Sequence, residues 1–480
     1  MLTNLDFISP RQPWPPGCEK ERMSTYEANR KLFKGKHDQV FHDWVRMIRD
    51  DQQAALQIIL NWPKRLSTLW ADLLLGEPPL ITTGDELGAD QGVLDRIIEQ
   101  NDLVNVLYEI ALDVSRFGVG LAKVRSDTKR GKVIISGQNP SLWYPVVCPD
   151  DLKDISHHVL AWTYEKLEPT FYDKDKKVTY LKLEIHERGR VTYREHVLKD
   201  GVIGAQVEPD QITEFPLDSF LLIPINNLLT TDSIVGMDDY ADLETLVQEM
   251  EVRMSQIARI LDKHADPSMF GPETALQFDP STGQYTFKAG GKYFAMGEGD
   301  VAPGYLIWNG QLEAAFKEMD LLMQQFFTLS ETSSAAFGDL KSGLAESGSA
   351  LKRLMLAPLA KVNRVRMRFD PALKQLLKLA SLVEVIANVP KAKALTSISI
   401  TWQDGLPLDI KEQSDVEVSL KTAGLTSTES SISRLFGLSG KALDEELAKI
   451  EDEKPELPEP PDPFGDGIKP PPVIPGGAGE

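Results

Sequence analysis

The sequence predicts an α+β protein that is mainly helical. Three observations lead to this fold class. Apolar residues recur at helical spacing up to residue 117, and between residues 120 and 198 the spacing changes to two. Two later helices with matching apolar seams enclose a segment rich in glycine, proline and aromatic residues. With 480 residues, 42% hydrophobic and 26% charged, the chain has a folded protein's composition and length for roughly two to four compact units.

The charge and cysteine content exclude several classes of protein. The formal charge is −20, so nucleic acid cannot bind over the whole surface and any such contact must be local. Cys18 and Cys148 are the only cysteines, which excludes a disulfide framework or a four-cysteine zinc site and fits a reducing cytoplasm. The N-terminus lacks a signal-peptide pattern and no run of about 18 apolar residues occurs, so we expect neither secretion nor a membrane partner.

The N-terminal half is predicted in two parts. Residues 1–30 hold four prolines around Trp14 and are expected to be an arm that is not a folded start. Residues 31–236 are expected to be helices followed by a β meander. The helices are predicted over residues 54–75, ending at Gly76, and residues 93–117, ending at Gly118. The predicted strands are Gly120–Val124, Lys132–Ser136, His158–Leu167, Val178–His186 and Val191–Leu198.

A matched pair of helices follows, over residues 237–262 and 311–329. The first seam consists of Tyr240, Leu243, Val247, Met250, Met254, Ile257 and Leu261. The second consists of Leu312, Phe316, Met319, Met323 and Phe326. Both repeat at spacings of three and four, as packed helices require, and residues 263–310 between them are expected to form a small β unit. The pair is interpreted as a stalk with a tip, and an ordinary helical hairpin with a long loop is the alternative.

The first helix of this pair is acidic. Residues 238–262 hold seven acidic and two basic side chains, a net charge of −5. Such a surface repels phosphate, because like charge raises the cost of close approach. The candidate residues for a pore wall are Asp242, Glu244, Glu249 and Glu251. The alternative is a solvated helix face.

Residues 330–348 and 349–402 are interpreted as a flexible loop followed by a long basic helix and a short strand, Ser397–Trp402. The loop is rich in small residues and is expected to hold no regular element. The helix carries six cations and no acidic residue before Asp370: Lys352, Arg353, Lys361, Arg364, Arg366 and Arg368. Pro358 and Pro371 predict a bent or segmented rod. The cations either contact DNA or pair with carboxylates of neighbouring elements or subunits, and Lys341 is a separate loop candidate.

The C-terminal part is predicted as a compact helical segment over residues 403–451, then a tail. Asp409 and Ser427 are expected to cap helices, and Gly424 and Gly437 to end them. Residues 452–480 hold nine prolines and seven acidic residues and are expected to be disordered.

No catalytic, metal or cofactor motif is found in the sequence. The segment GLSGKAL at residues 437–443 has the wrong spacing for a phosphate-binding loop, and no H-E-x-x-H occurs. Asp173 and Asp175 are interpreted as a solvated hairpin turn, with a metal pair as the alternative. We therefore predict no enzyme activity and no cofactor.

The order of parts resembles the portal proteins, or head-to-tail connectors, of tailed double-stranded DNA bacteriophages. The resemblance covers about residues 25–451 and rests on several segments together. They are NWPKRLSTLWADLLLGEPP, SRFGVGLAKV, the helix pair with its insert, SGSALKRLMLAPLAKVNRVRMRF, and AGLTSTESSISRLFG followed by LDEELAKIEDE. The proline-rich tail is not part of the shared pattern.

The resemblance implies a ring of about 12 subunits around a DNA channel. By position, residues 31–236 and 349–402 would be the wing, residues 237–262 and 311–329 the stem, residues 263–310 the clip, residues 330–348 the tunnel loop and residues 403–451 the crown. The loop positions expected to meet the duplex are Ser333, Ser334, Phe337, Lys341 and Ser342.

The resemblance also implies a function and partners. The ring would sit at one capsid vertex of the virion, assemble in the host cytoplasm, and pass double-stranded DNA during packaging and ejection. Its partners would be the terminase large subunit, which would hydrolyse ATP, the major capsid and scaffolding proteins, and a head-to-tail adaptor. Two alternatives stay open from the sequence. One is another capsid or tail adaptor ring protein, and the other is a metal-dependent nucleic-acid enzyme.

Overall fold

The structure is a computed structural model that describes residues 1–41, 58–84, 88–127, 129–168, 177–265, 269–270, 276–287, 299, 304–305, 312–339, 348–403, 410–438 and 440–452. The chain divides into two compact units, Met1–Pro407 and Leu408–Glu480. The first unit combines helices and antiparallel sheets, so the predicted α+β class is confirmed.

The first residues of the chain pack on a sheet, so the expectation of an arm that is not a folded start is wrong. Leu2 and Ile8 are buried in one apolar cluster with Val146 and Leu181. The Val147 N–H donates to the carbonyl of Leu2 at 2.9 Å. A proline-rich chain lacks N–H donors, but it can still lie extended along a sheet and bury its apolar side chains.

Four helices and one short strand come next. They are α1 (Lys20–Phe33), α2 (Trp62–Leu75), β1 (Leu80–Thr82), α3 (Ala89–Asn101) and α4 (Leu103–Phe117). The predicted ends at Gly76 and Gly118 are confirmed. The predicted helix over residues 93–117 is two helices, because Asp102 adopts the left-handed conformation with φ 47°. Asp is among the few residues besides glycine that accept this conformation, and a periodicity of apolar residues does not show it.

The predicted meander is divided between two sheets. The strands are β2 (Val119–Asp127), β3 (Lys132–Gln138), β4 (Trp143–Cys148), β5 (Asp151–Leu167), β6 (Lys177–Glu187), β7 (Arg190–Lys199), β8 (Val202–Gln206), β9 (Gln211–Glu214) and β10 (Leu222–Asn226). One sheet has the order β10-β2-β3, and the other has the order β4-β5-β6-β7-β8 with β9 also paired to β7. All five predicted strands are present, and four others were missed. Lys123 Nζ of β2 joins the two sheets by contacting Glu184 Oε1 of β6 at 2.6 Å.

The helix pair follows as α5 (Glu244–Ala265) and α6 (Leu312–Leu329). Between them lie β11 (Met269–Phe270), β12 (Leu276–Asp279), β13 (Gln284–Phe287) and β14 (Gly304–Tyr305), paired as β11 with β14 and β12 with β13. The predicted seams are buried at their centres, through Val247, Met250, Ile257, Met319 and Phe326. Leu261 and Phe316 are 48% and 50% exposed, so the seams do not extend along the whole helices.

The basic helix is segmented into α7 (Gly348–Leu354) and α8 (Leu356–Ile386). Met355 lies between them, one turn before Pro358, whose ring excludes the backbone hydrogen bond that a continuous helix needs. The predicted segmentation is therefore confirmed at Pro358, whereas α8 continues through Pro371. After it, β15 (Ser399–Thr401) pairs with β1.

The second unit contains α9 (Ile410–Thr422), α10 (Thr428–Phe436) and α11 (Gly440–Asp452). Ser427 caps α10 by accepting the Ser430 N–H at 3.1 Å, and Gly437 ends it with φ 65°, both as predicted. Asp409 and most of the predicted tail lie outside the described residues. Over the described part of the chain, no helix has the length and apolar character needed to cross a membrane.

Candidate functional site

A buried ion pair fastens the basic helix α8 to the segment that precedes α5. Lys361 Nζ of α8 lies 2.8 Å from Asp239 Oδ1, and the two side chains are 10% and 7% exposed. The same ammonium lies 4.4 Å from the ring centre of Trp70 on α2. A cation over an indole face is attracted by the ring quadrupole, so Lys361 has two favourable partners in a dry environment. Lys361, one of the six cations noted in the sequence, therefore contacts groups of its own chain.

Asp239 is the centre of a polar network that joins three helices, α2, α4 and α8, to the segment before α5. Its Oδ1 also accepts from Asn227 Nδ2 at 2.9 Å, and its Oδ2 accepts from Ser115 Oγ of α4 at 2.6 Å. Ser67 Oγ of α2 lies 2.9 Å from Ser115 Oγ and 2.7 Å from the Tyr240 hydroxyl. Because each hydroxyl carries one proton, the donors run in order from Tyr240 through Ser67 and Ser115 to Asp239. A buried network with every member satisfied rigidifies the structure around it.

The neighbouring carboxyl, Asp238, has a different environment. Burial, together with the charge of Asp239, raises the pKa of Asp238 to about 6, while hydrogen bonds from Tyr240, Asn29 and Ala241 act in the opposite direction. Asp239 has Lys361 as a cationic partner, whereas Asp238 accepts its hydrogen bond from a neutral backbone N–H. The two adjacent carboxyl groups therefore have different partners, a cation for Asp239 and uncharged donors for Asp238.

Glu251 was predicted to line a pore wall, and the structure shows that this is wrong. Glu251 is fully buried, and its Oε1 lies 2.6 Å from Nδ1 of the buried His37 and accepts from the Leu60 N–H at 2.9 Å. The Leu32 carbonyl accepts from His37 Nε2 at 2.9 Å, so His37 Nδ1 and Glu251 share one proton between them. Glu251 follows Val247 by four residues on the buried face of α5, and that spacing could have shown its burial.

The other predicted wall residues are nearer the surface. Asp242 and Glu244 are exposed, and Glu249 is half-buried. Arg253 Nε lies 2.8 Å from Glu249 Oε1 and 3.0 Å from Glu318 Oε1 of α6. Arg253 therefore cross-links α5 and α6, and it neutralises part of the acidic face that the sequence indicated.

The first ten residues of the predicted loop are ordered, contrary to the expectation of a segment without regular structure. Ser334–Phe337 form one turn of 3-10 helix, capped by Ser333 and ended by Gly338 with φ 89°. Ser330 and Thr332 are buried, and their hydroxyls lie 2.6 Å apart. The predicted contact residues Ser333, Ser334 and Phe337 are all in this ordered part, whereas Lys341 and Ser342 lie outside the described residues.

Phe337 packs in an aromatic cluster at the junction of α2 and α6. Its ring centre lies 5.5 Å from that of Trp62, 5.8 Å from that of Phe327 and 6.3 Å from that of Phe326. The Trp62 contact is edge-on, a geometry that aromatic quadrupoles favour. Phe326 is fully buried, but Phe337 is half-buried, so Phe337 closes the open side of the cluster.

The remaining predicted cations are spread around α7 and α8. Arg364 forms an ion pair with Glu331 at 2.5 Å, and Arg366 bonds to the Gln403 carbonyl and lies 5.6 Å from the Trp402 ring centre. Lys352, Arg353 and Arg368 have exposed side chains. The six cations therefore do not form one surface, and Lys361 and Arg364 pair with carboxylates of the same chain.

The comparisons with known proteins decide the family. The family model described as "Phage portal protein, SPP1 Gp6-like" matches residues 16–457. The chain belongs to this family of phage portal proteins. No curated protein matches the sequence. Among solved structures, the portal protein resembles a chain titled "Neck of empty GTA particle computed with C6 symmetry", with 12% identity and a TM-score of 0.45 over 84% of this chain and 95% of that chain.

Sequence reasoning missed several residues that organise this portal protein. Asp239 was counted as a stem acid but not as the partner of Lys361, and Trp62 and His37 were not singled out. Their contacts join residues more than 100 positions apart, so local spacing carries no signal for them. Among the described residues, no group of three or more His, Cys, Asp or Glu side chains could hold a metal ion. The suggested pair Asp173 and Asp175 falls in an undescribed range.

Proposed function

We propose that this portal protein forms a ring of about 12 subunits at one capsid vertex and gives double-stranded DNA its passage during packaging and ejection. The observation that carries the proposal is the match to the phage portal family over residues 16–457. The helix pair α5 and α6, with its strand-containing insert and the helix α8 fastened to its root, supports the same function.

The regions of the ring are assigned as follows. Residues 31–236 and 349–402 form the wing, residues 237–262 and 311–329 the stem, and residues 263–310 the clip. Residues 330–348 form the tunnel loop, and residues 403–451 form the crown. The cross-link from Arg253 to Glu249 and Glu318 supports the assignment of α5 and α6 as one stem.

The passage works by electrostatics and geometry. Asp242, Glu244 and Glu249 give the stem an acidic wall to which phosphate adheres poorly, because like charges repel at short range. Glu251 takes no part, because it is buried against His37. The tunnel loop contacts the duplex through Ser333, Ser334, Lys341 and Ser342, whose hydroxyl and ammonium groups can donate to phosphate oxygens.

The protein acts without catalysis of its own. ATP hydrolysis for packaging belongs to the terminase large subunit, which docks on the ring together with a head-to-tail adaptor. The major capsid and scaffolding proteins contact the wing and crown during assembly in the host cytoplasm. The cations Lys352, Arg353 and Arg368, whose side chains are exposed, are the proposed contacts with neighbouring subunits or DNA.

The proposal is tested by the mass and shape of the purified full chain. Native mass spectrometry and negative-stain electron microscopy should show a ring of about 12 copies with a central hole. A stable monomer without a hole, at concentrations up to those of an infected cell, would contradict the ring and the passage together. The functional measurement is the amount of DNA packaged by a phage whose portal protein is a variant that does not form rings.

A further inference from the structure

The first residues of the chain cross one face of the larger sheet and reach both of its outer strands. The strand order β4-β5-β6-β7-β8 leaves β4 at one end of this sheet and β8 at the other. Leu2 lies parallel to Val146 of β4, and Pro13 lies antiparallel to Val202 of β8. We name residues 2–14 the strap, because they span the width of the sheet.

The strap forms backbone hydrogen bonds along the outer edge of β8. The Arg11 N–H donates to the Ile203 carbonyl at 2.7 Å, and the Ile203 N–H donates to the Gln12 carbonyl at 2.9 Å. The Trp14 N–H donates to the Gly201 carbonyl, just before β8, at 2.8 Å. Without the strap, the N–H and carbonyl of Ile203 would form an open edge, which is a template for pairing with another strand.

The strap also covers apolar side chains on the face of the sheet. Ile8 is fully buried in one cluster with Leu181 and Leu183 of β6. The Trp14 ring centre lies 4.9 Å from that of Tyr144 of β4. An open edge beside an uncovered apolar face is the kind of surface through which sheets associate.

Strand β8 lacks the side chains that keep edge strands apart. Edge strands commonly resist pairing through charged side chains or proline, and β8, with the sequence VIGAQ, contains neither. By contrast, β4 contains Pro145 and β9 contains Glu214. Two copies of an uncharged strand can pair antiparallel across a two-fold axis without charge repulsion. A second copy of this chain is therefore the partner that an uncovered β8 fits.

We propose that the strap is an intramolecular guard of β8, which keeps a second copy of the chain from adding its own β8 to the sheet. When the strap leaves, the N–H and carbonyl of Ile203 become available, and the sheets of two copies join edge to edge. This pairing needs neither a passage nor DNA, so the inference goes beyond the proposed function and does not rest on it.

The guard is tested on the full chain with two variants of Arg11, which has φ 73° and an exposed side chain. Arg11→Pro removes the N–H that bonds to Ile203, and its ring excludes a positive φ, so it should detach the strap from β8. Arg11→Gly keeps the N–H, accepts this φ and loses the same charge, which makes it the matched control. Hydrogen exchange at the Ile203 amide should be roughly tenfold faster in Arg11→Pro than in Arg11→Gly, because the edge loses its hydrogen bonds to the strap. Equal exchange in the two variants would overturn the guard.

Sedimentation velocity over a range of concentrations measures the association. Arg11→Pro should form larger particles as the concentration rises, whereas the wild type and Arg11→Gly keep one mass. The further change Val202→Lys, at a residue of β8 that is 42% exposed, should abolish the larger particles, because a charged side chain opposes edge pairing.

Three results would contradict the guard. They are faster exchange without association, association that Val202→Lys leaves unchanged, and loss of the folded circular-dichroism spectrum in Arg11→Pro, which would make the strap a part of the fold. Failure of the wild-type chain to form rings would contradict the proposed function alone, because the comparison of the two Arg11 variants does not need a ring.

Discussion

Helix α8 forms two ion pairs with its own chain one turn apart, and the two pairs differ in burial and in the other groups that they contact. At Lys361 the ion pair with Asp239 is buried and is completed by Trp70, Asn227 and Ser115. At Arg364 the side chains of the ion pair with Glu331 are 40% and 43% exposed. A buried pair is costly to break because each partner is left charged without water, whereas an exposed pair is readily replaced by solvent. One helix can therefore carry a permanent joint and a reversible contact side by side.

The largest expected effect concerns the buried joint. Lys361→Met leaves the Asp239 carboxylate buried without its cation, so we expect the free energy of unfolding to fall by about 3–5 kcal/mol. Urea unfolding followed by circular dichroism measures the loss. Lys129→Met, an exposed lysine in the turn after β2, is the control and should change the stability by less than about 0.5 kcal/mol. The double variant Asp239→Asn with Lys361→Met should recover part of the loss. A loss below about 1 kcal/mol in Lys361→Met would show that the joint does not stabilise the fold.

The second prediction compares Glu251 with Glu249, two acidic residues of α5 that lie two positions apart. Glu251 Oε1 contacts both His37 and the Leu60 N–H, and a glutamine can serve only one of them well. Glu251→Gln should therefore lower the free energy of unfolding by about 1–3 kcal/mol, the value of a hydrogen bond to a charged group. Glu249→Gln weakens a half-buried contact with Arg253 and should lower it by less than about 1 kcal/mol. Equal losses of stability in the two variants would contradict the difference in burial between Glu251 and Glu249.

The third prediction concerns the dependence of the stability on pH through Asp238, the neighbour of Asp239. The folded protein holds the proton of Asp238 more tightly than the unfolded chain does, because burial raises the pKa to about 6 from the ordinary value of 3.8. The stability that this proton provides is fully present below about pH 4 and is lost as the pH rises through about 6. Asp238→Asn stays neutral and can still accept the Tyr240 N–H, so at pH 8 it should be more stable than the wild type by about 1–2 kcal/mol. The two proteins should have equal stability at pH 4, and a constant difference across this range would show that Asp238 is not the titrating group.

The smallest expected effect concerns the exposed contact. Arg364→Gln should lower the free energy of unfolding by less than about 1 kcal/mol, because solvent already screens the pair with Glu331. Amide exchange in residues 330–339 should nevertheless increase, and adding salt to the wild type should have the same direction of effect. A loss of stability as large as that of Lys361→Met would show that the exposed and the buried ion pair stabilise the fold equally.

The sequence predicted most elements but few of the contacts between them. Apolar periodicity located the paired helices α5 and α6 and five strands, and Pro358 located the break before α8, because these features depend on local chemistry. Asp102 was missed, since a left-handed residue other than glycine leaves no mark in the periodicity. The packed N-terminal segment was missed because its partner strands begin more than 140 positions later.

The site was less predictable than the fold. All six cations of the basic helix were identified, but their charge alone could not tell that Lys361 is buried, Arg364 is half-buried and Arg368 is exposed. The small residues of the loop suggested irregular structure, while a single aromatic residue, Phe337, gives its first half a fixed place. Four acidic residues were predicted to line a pore wall, and one of them, Glu251, lies on the face of α5 that the apolar seam also marks.

Helix α2 contacts both Phe337 and Lys361. Trp62 at its first residue receives Phe337, and Trp70, eight residues later, receives Lys361, so the two indoles are about 12 Å apart along one rigid rod. The same helix therefore positions both the turn that carries Phe337 and Lys361 of α8. A change in the position of α2 would therefore affect the turn that carries Phe337 and the ion pair of Lys361 together.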